Sequence, residues 1–321
     1  MPVQRVLTEE TVTRFLVAEQ FNMVSSVDTG SFSALDEKAA KIIVRHKGDL
    51  NLSGLKSLSV ESALSLARHK CALDLSGLTR LSAEQAAALG RHKAELKLCG
   101  LTSLKQFTAE ALSSHRGAVN LSGLKQLDSA TARALSAIRG DLFLRGLSDL
   151  PVEIATELAS HRGILYLGGL KKLSVGSANA LAGHKGPIGL KGLKSISNEA
   201  LEPLSRLKGG LHLGGLSKLS DVAAGHLSRH KFPIHLGGVK TLSDAAIIDL
   251  AGHKGSLHLG GLTKLSALAA KALGGHDGEL CLGSLEEIPS EVAAELAKHK
   301  DFIYYENPMA ATNGIGNRTN V

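Results

Sequence analysis

The sequence predicts an α/β solenoid: a right-handed stack of short parallel strands alternating with short helices. Three observations carry that prediction. From Val27 to Phe302 the chain divides into twelve rows of 23 residues, with no insertion or deletion. Within each row the apolar spacing changes midway, from every second residue to every third or fourth. Of 321 residues, 56 are leucine, while Phe, Tyr and Trp together make 3%. A core built from such a chain is aliphatic and regular.

The elements follow in order. At the N-terminus, Leu7, Thr8, Val12 and Phe15 copy positions 9, 10, 14 and 17 of a row. They predict a lone capping helix over 7–20, about five extra residues ahead of the first strand. Residues 1–26 are therefore cap and linker, and residues 27–302 are the twelve repeats. Each row opens on a strand. Position 1 is aliphatic and position 3 is Leu in eleven rows, with Thr29 in the first. Small or polar residues stand between them, which is the alternation of a strand. Position 5 is Gly in ten rows, Ser31 and Ser284 being the exceptions. It lets the chain turn sharply off the strand.

Position 10 reads as a helix N-cap: Ser59, Ser82, Ser174, Ser197, Ser220, Ser243 and Ser266. Acids follow in the first turn, as in Glu61, Glu84, Asp221 and Asp244, where the helix dipole favours them. Pro151 and Pro289 occupy the same position, tolerated because the first helical N–H groups lack partners anyway. Positions 14 and 17 are apolar and one turn apart, which predicts a helix of about nine residues with one buried face. A helix so short needs its neighbours. Handedness follows from the rule that strand–crossover–strand units are right-handed. Ile303-Tyr304-Tyr305 supplies a final strand, and 303–308 the C-terminal cap. Residues 309–321 read as a disordered tail.

Charge and cysteine bound the function. Lys and Arg number 37 against 30 Asp and Glu, a net +7. Cys71, Cys99 and Cys281 are odd in number and far apart, which argues against a disulfide framework. The opening MPVQRVLTEETVTRF has no apolar stretch of a secretion leader, and no apolar run is long enough for a membrane. The expectation is a soluble cytoplasmic protein with no membrane association. A nucleophile elbow, P-loop, zincin helix and paired-cysteine motif are all missing from the sequence. Near-identity at twelve places is the opposite of an active site, so a non-enzyme with no cofactor is expected.

Rows of the form LxLxGLxxLSxxxAxxLAxHKG resemble the leucine-rich repeat superfamily, over residues 27–305. They look closest to a 23-residue variant found in tandem in bacterial proteins. That resemblance implies a leucine-rich-repeat-like solenoid whose residues flanking the strand leucines line a concave binding surface. There is one departure. The familiar pattern carries an Asn ladder three residues after the second strand leucine. Here that place is position 6, held by Leu55, Leu78, Leu101 and their equivalents. Something else must satisfy those turns.

Ten of the fourteen histidines sit at position 20, where Ile138 and Leu207 stand in the other two rows. A place that accepts Ile or Leu is at least half buried. These rings are expected to pack between helix and next strand, each N–H bonding a backbone carbonyl. His212, His235 and His258 are different, falling at position 2 of three successive rows, with Cys281 and Tyr304 continuing the column. The column reads as part of a binding face, with a weaker alternative as a zinc site of His212, His235, His258 and Cys281.

The strand face is the candidate partner-binding surface, its best anchors Phe143, Arg145 and Tyr166. Lys191, His212, His235, His258 and Tyr304 extend it. Eleven Lys or Arg at position 21, and nine more at positions 7 and 8, form two periodic basic bands. Helix C-termini favour such cations; an anionic polymer is the other reading. The first function expected is a protein–protein interaction scaffold using the strand face. The alternative is a binder of an anionic ligand or nucleic acid through the Lys/Arg bands.

Overall fold

A computed structural model describes residues 5–20, 29–286, 288–301 and 303–304. The linker at 21–26, the first-row strand at Val27, the end of the C-terminal cap at 305–308 and the tail at 309–321 lie outside the described residues.

The chain forms two compact units. The first comprises Met1–Ser148 with Ser160–Tyr166. It opens on β1 (Val6–Leu7), α1 (Glu9–Gln20), β2 (Ala34–Leu35) and α2 (Glu37–Ile43). Strands β3 (Leu50–Asn51), β4 (Leu73–Asp74), β5 (Leu96–Lys97), β6 (Val119–Asn120), β7 (Leu142–Phe143) and β8 (Leu165–Tyr166) follow. Between them lie α3 (Val60–Leu66), α4 (Ala83–Leu89), α5 (Gln106–Leu112) and α6 (Ser129–Ser136). Each strand from β3 to β8 pairs parallel with the next, and each residue meets its counterpart 23 further on, as in Leu50↔Leu73 and Phe143↔Tyr166. β1 and β2 pair separately, Leu7 against Leu35. That interval of 28 is one row plus five residues. It is the offset expected of the cap, although the sequence did not mark a strand there.

The second unit comprises Asp149–Ala159 with Leu167–Val321. Its helices are α7 (Val152–Leu158), α8 (Val175–Leu181), α9 (Asn198–Leu204), α10 (Asp221–Leu227), α11 (Asp244–Ala251), α12 (Ala267–Gly274) and α13 (Ser290–Leu296). Its strands are β9 (Ile188–Gly189), β10 (Leu211–His212), β11 (Ile234–His235), β12 (Leu257–His258), β13 (Leu280–Cys281) and β14 (Ile303–Tyr304), again parallel and in register. Each unit is thus a run of α/β solenoid rows.

The core is the stripe of leucines that the period lays down. Leu50, Leu52, Leu55, Ala63 and Leu66 of one row, and Leu211, Leu213, Leu216, Ala224 and Leu227 of another, are buried. Each fully buried Leu contributes about 1.5–3 kcal/mol relative to an exposed one. Helices of the repeat rows are seven or eight residues, shorter than the nine expected, because the last two positions form a turn. All seven serine caps are made: Ser59, Ser82, Ser174, Ser197, Ser220, Ser243 and Ser266 each accept the amide three residues on. Gln85 returns the favour to the Ser82 amide, closing a capping box. Lys105, Pro151 and Pro289 make no such bond.

The missing Asn ladder is replaced by main chain. In eleven of the twelve rows the amide of the position-6 residue donates to the position-3 carbonyl, as in Leu55 to Leu52 at 3.1 Å and Leu216 to Leu213 at 3.0 Å. A leucine can therefore stand there and spend its side chain on the core. The preceding glycine is required by close approach: a Cβ on Gly123 would lie 2.0 Å from the Cys99 carbonyl oxygen of the row before.

Candidate functional site

Two-residue strands point the side chain of position 1 inward and that of position 2 outward. Because neighbouring strands are in register, outward residues of successive rows stand side by side at strand spacing, about 4.8 Å. What they are decides what each unit presents.

In the first unit the outward column begins polar, with Asn51, Asp74, Lys97 and Asn120, and ends in two rings. The Asn51, Asp74 and Asn120 side chains each accept the amide two residues on, at 2.9–3.1 Å. Phe143 and Tyr166 stack with centroids 4.3 Å apart and planes 7° from parallel. The Arg145 guanidinium carbon lies 4.9 Å from the Phe143 centroid and 5.2 Å from that of Tyr166. Both rings are half-buried and Arg145 is exposed. The aromatic quadrupoles hold the cation in place. Burial pushes the Tyr166 hydroxyl above its ordinary value; the Asp141 carboxylate adds to that, while Arg145 opposes it. The three anchors named from sequence are therefore one assembly.

In the second unit His212, His235 and His258 stack directly. Their centroids are 4.0 and 3.9 Å apart, their planes within 12°. Burial lowers the pKa of all three. His235, in the middle, falls to about 3, with the charges of His212, His258 and Lys191 adding to the effect of burial. Lys191 also bears on His212, and Glu279 partly offsets the shift of His258. Beside the column, Cβ atoms on Gly214 and Gly237 would meet nothing within 4 Å. Tyr304 pairs by its backbone with Cys281 in the next strand, and its side chain lies outside the described residues.

The weaker zinc reading fares poorly on geometry. Ring lone pairs lie in the ring planes, so nitrogens of parallel stacked rings do not converge on one point. No group of three or more His, Cys, Asp or Glu among the described residues could hold a metal ion.

The position-20 histidines behave as interior side chains. His69, His92, His115, His161, His184, His230, His253 and His276 are buried as deeply as Ile138 and Leu207. Nε2 of His69 and His115 donates to the carbonyls of Gly48 and Ala94, each at 3.0 Å. Nδ1 of His161, His230 and His253 donates to Ser136, Ser205 and His230 at 3.3, 3.1 and 2.7 Å. The rings also form ladders, His46 through His115 and His230 through His299, with centroids 5.9–6.4 Å apart. Burial lowers the pKa of His92, His115, His161 and His230, and takes His253 to about 4.

One set of surface residues escaped the sequence reading. Arg45, Arg68 and Arg91 precede three of the buried histidines and are exposed. The signal was the tripeptide Arg-His-Lys, repeated in succession at 45–47, 68–70 and 91–93 and found once more at 229–231.

No protein-family model matches the chain, and no curated protein matches it. Among solved structures it is similar to Toll from Drosophila in the Toll–Spätzle complex, with a TM-score of 0.52 and 14% identity. That match covers 96% of this chain and 42% of the other, so this chain spans less than half the length of that neighbour. A glycosylated form of the same complex gives 0.50 at 13% identity, over 79% and 40%. An internalin from Listeria monocytogenes gives 0.48 at 17% identity, over 86% and 81%. At such identities the likeness is one of fold. The strand–helix rows fit a leucine-rich-repeat-like fold.

Proposed function

We propose that this chain is a non-enzymatic interaction scaffold that captures a protein partner on its strand face. The observation that carries the reading is the Phe143–Tyr166 stack with Arg145 laid over it. Aromatic and Arg side chains dominate binding energy at protein interfaces. Here they are pre-ordered against one another, so little rotamer entropy remains to be lost on binding. In the rest of the first unit's outward column, Asn51, Asp74 and Asn120 tie their side chains to their own backbone, leaving the aromatic assembly as the natural anchor. In the second unit, Lys191 and the column of His212, His235 and His258 form the other contact region, with Tyr304 at its end. The structural neighbour Toll is seen in complex with Spätzle, which shows this architecture serving protein recognition in another protein. Within the fold, the row pattern resembles the 23-residue bacterial form, which supports reading the chain as one of that kind. Cys71, Cys99 and Cys281 form no disulfide among the described residues, which suits a reducing cytoplasm.

The test is capture by the immobilised full chain from lysate of its host. The double variant Phe143→Ala, Tyr166→Ala is expected to weaken retention of the partner by roughly 30-fold or more, the scale of a hot-spot loss of about 2 kcal/mol. Both positions are outward, so far-UV circular dichroism is expected to be unchanged. Equal capture by the folded double variant would refute the assignment.

A further inference from the structure

The fold needs some residue at position 19 of each row, just ahead of the buried histidine, but it does not need a cation. Ser114, Ala137 and Ser160 fill the place in the first unit; in the second, Gly183, Gly252 and Gly275 share it with Arg206, Arg229 and Lys298, of which Arg206 is paired with Glu202 and Lys298 with Glu295. In three successive loops of the first unit it is Arg45, Arg68 and Arg91. Position 21 of the same loops is Lys47, Lys70 and Lys93, followed by Arg116 in the next row. All seven cations are exposed, while the histidines between them are buried. The helix C-terminus accounts for one cation per loop, since its favourable effect is confined to the last turn. The second has no such cause.

Five of these charges are also uncompensated among the described residues. Arg45, Arg68, Arg91, Lys70 and Lys93 make no ion pair with any described residue. The carboxylates in the same loops are Asp49 and Glu95, and Asp49 is already engaged by the Ala72 amide at 3.0 Å. Spacing along this edge is set by the histidine ladder beneath it, whose rings step 6.4, 6.4 and 5.9 Å from His46 to His115. The cations therefore rank along one edge, a pair at each of three steps and Arg116 alone at the fourth.

We propose that this loop edge of the first unit binds the phosphodiester backbone of a single-stranded nucleic acid, without reading its bases. The step suits successive phosphates of an extended strand. Each strand of a duplex winds about the helix axis and meets a single rank of charges only at intervals, whereas a flexible single strand follows it. Arg presents a fork matched to phosphate, and Lys a point charge. Loop residues 45–49, 68–72, 91–95 and 114–118 contain no Phe, Tyr or Trp, so base stacking and sequence preference are excluded. The strand-face partner and this edge are separate surfaces, and neither reading depends on the other.

Fluorescence anisotropy with labelled oligothymidylate and oligoadenylate tests the proposal on the full chain. Both are expected to bind alike, with log affinity falling against log salt at a slope of about −4 to −5, from roughly 0.7 per phosphate neutralised. The variant Arg45→Ser, Arg68→Ser, Arg91→Ser uses the residue found at Ser114 and Ser160, so it folds. It is expected to flatten the slope by about 2 and to weaken binding more than ~10-fold at low salt. Lys218→Ser with Lys240→Ser, exposed in the second unit and away from positions 19 and 21, is expected to leave binding unchanged. The proposal is overturned if the triple variant binds as tightly as the parent. It is equally overturned if the second-unit variant loses as much, which marks diffuse attraction to a +7 chain. Capture of phosphatidylserine vesicles without capture of the oligonucleotides overturns it in favour of a lipid surface.

Discussion

Replacing His253 with Leu is expected to reverse its effect on stability between pH 7.5 and pH 5. The ring is 1% exposed and donates Nδ1–H to the His230 carbonyl at 2.7 Å. Burial, reinforced by the neighbouring rings of His230 and His276, carries its pKa from 6.5 to about 4. The folded pKa lies below the unfolded one. At pH 7.5 the ring is neutral in both states and its titration contributes nothing. Below about 6.5 the unfolded chain takes up a proton that the folded chain refuses, and stability falls by about 1.36 kcal/mol per pH unit until near pH 4. At pH 5 that loss is about 2 kcal/mol. Leu at this site has a native precedent in Leu207, 2% exposed. It removes the proton linkage and forfeits one hydrogen bond, about 1 kcal/mol. His253→Leu is therefore expected to be about 1 kcal/mol less stable than the parent at pH 7.5 and about 1 kcal/mol more stable at pH 5. Urea unfolding followed by far-UV circular dichroism reads this as a midpoint shift of roughly half a molar each way, at a slope of about 2 kcal/mol per molar. An offset between the two proteins that stays the same at both pH values would refute the reasoning.

Gly123→Ala places a Cβ 2.0 Å from a carbonyl oxygen and is expected to cost about 1–3 kcal/mol. Gly237→Ala meets open space and is expected to be neutral or stabilising by up to about 1 kcal/mol; urea midpoints of the two should move in opposite directions or differ widely. Ser174→Ala removes the cap on the Ser177 amide, bonded at 3.0 Å, and should lower the midpoint by the equivalent of about 1 kcal/mol. Purified chain dialysed against zinc is expected to retain less than one ion per molecule by elemental analysis; stoichiometric retention lost on substituting His235 would reinstate the strand-face histidines as ligands.

Much of this was legible in the amino-acid order because one interval governs everything. A constant 23 puts every residue beside its counterpart, so the Phe143–Tyr166 stack and the His212–His258 column follow from position alone. The serine caps and the interior histidines were equally readable, since their chemistry is local and Ile138 and Leu207 reveal the burial of their site. Other features depend on facts that composition does not carry. Replacement of the Asn ladder by a main-chain turn leaves no mark in side-chain identity. The β1–β2 pair falls at positions 8 and 9 of a row, where the other rows have no strand. How closely Arg145 lies over the rings is a matter of rotamer, and the arginines at position 19 were overlooked beside the longer basic bands.

The uniform register has a kinetic consequence. Strand partners lie 23 residues apart, and the side-chain bonds between successive rows span 21–27. Within each unit the chain never has to close a loop longer than about one turn of the coil. Loop-closure entropy grows only logarithmically with length, so here it is the same small toll at each addition. The first docked pair of rows is the costly event, since neither helix stands alone. Every later row adds to an existing template. Such a chain is expected to zip outward from whichever pair forms first, rapidly for a parallel-strand protein, and to order row by row as it leaves the ribosome.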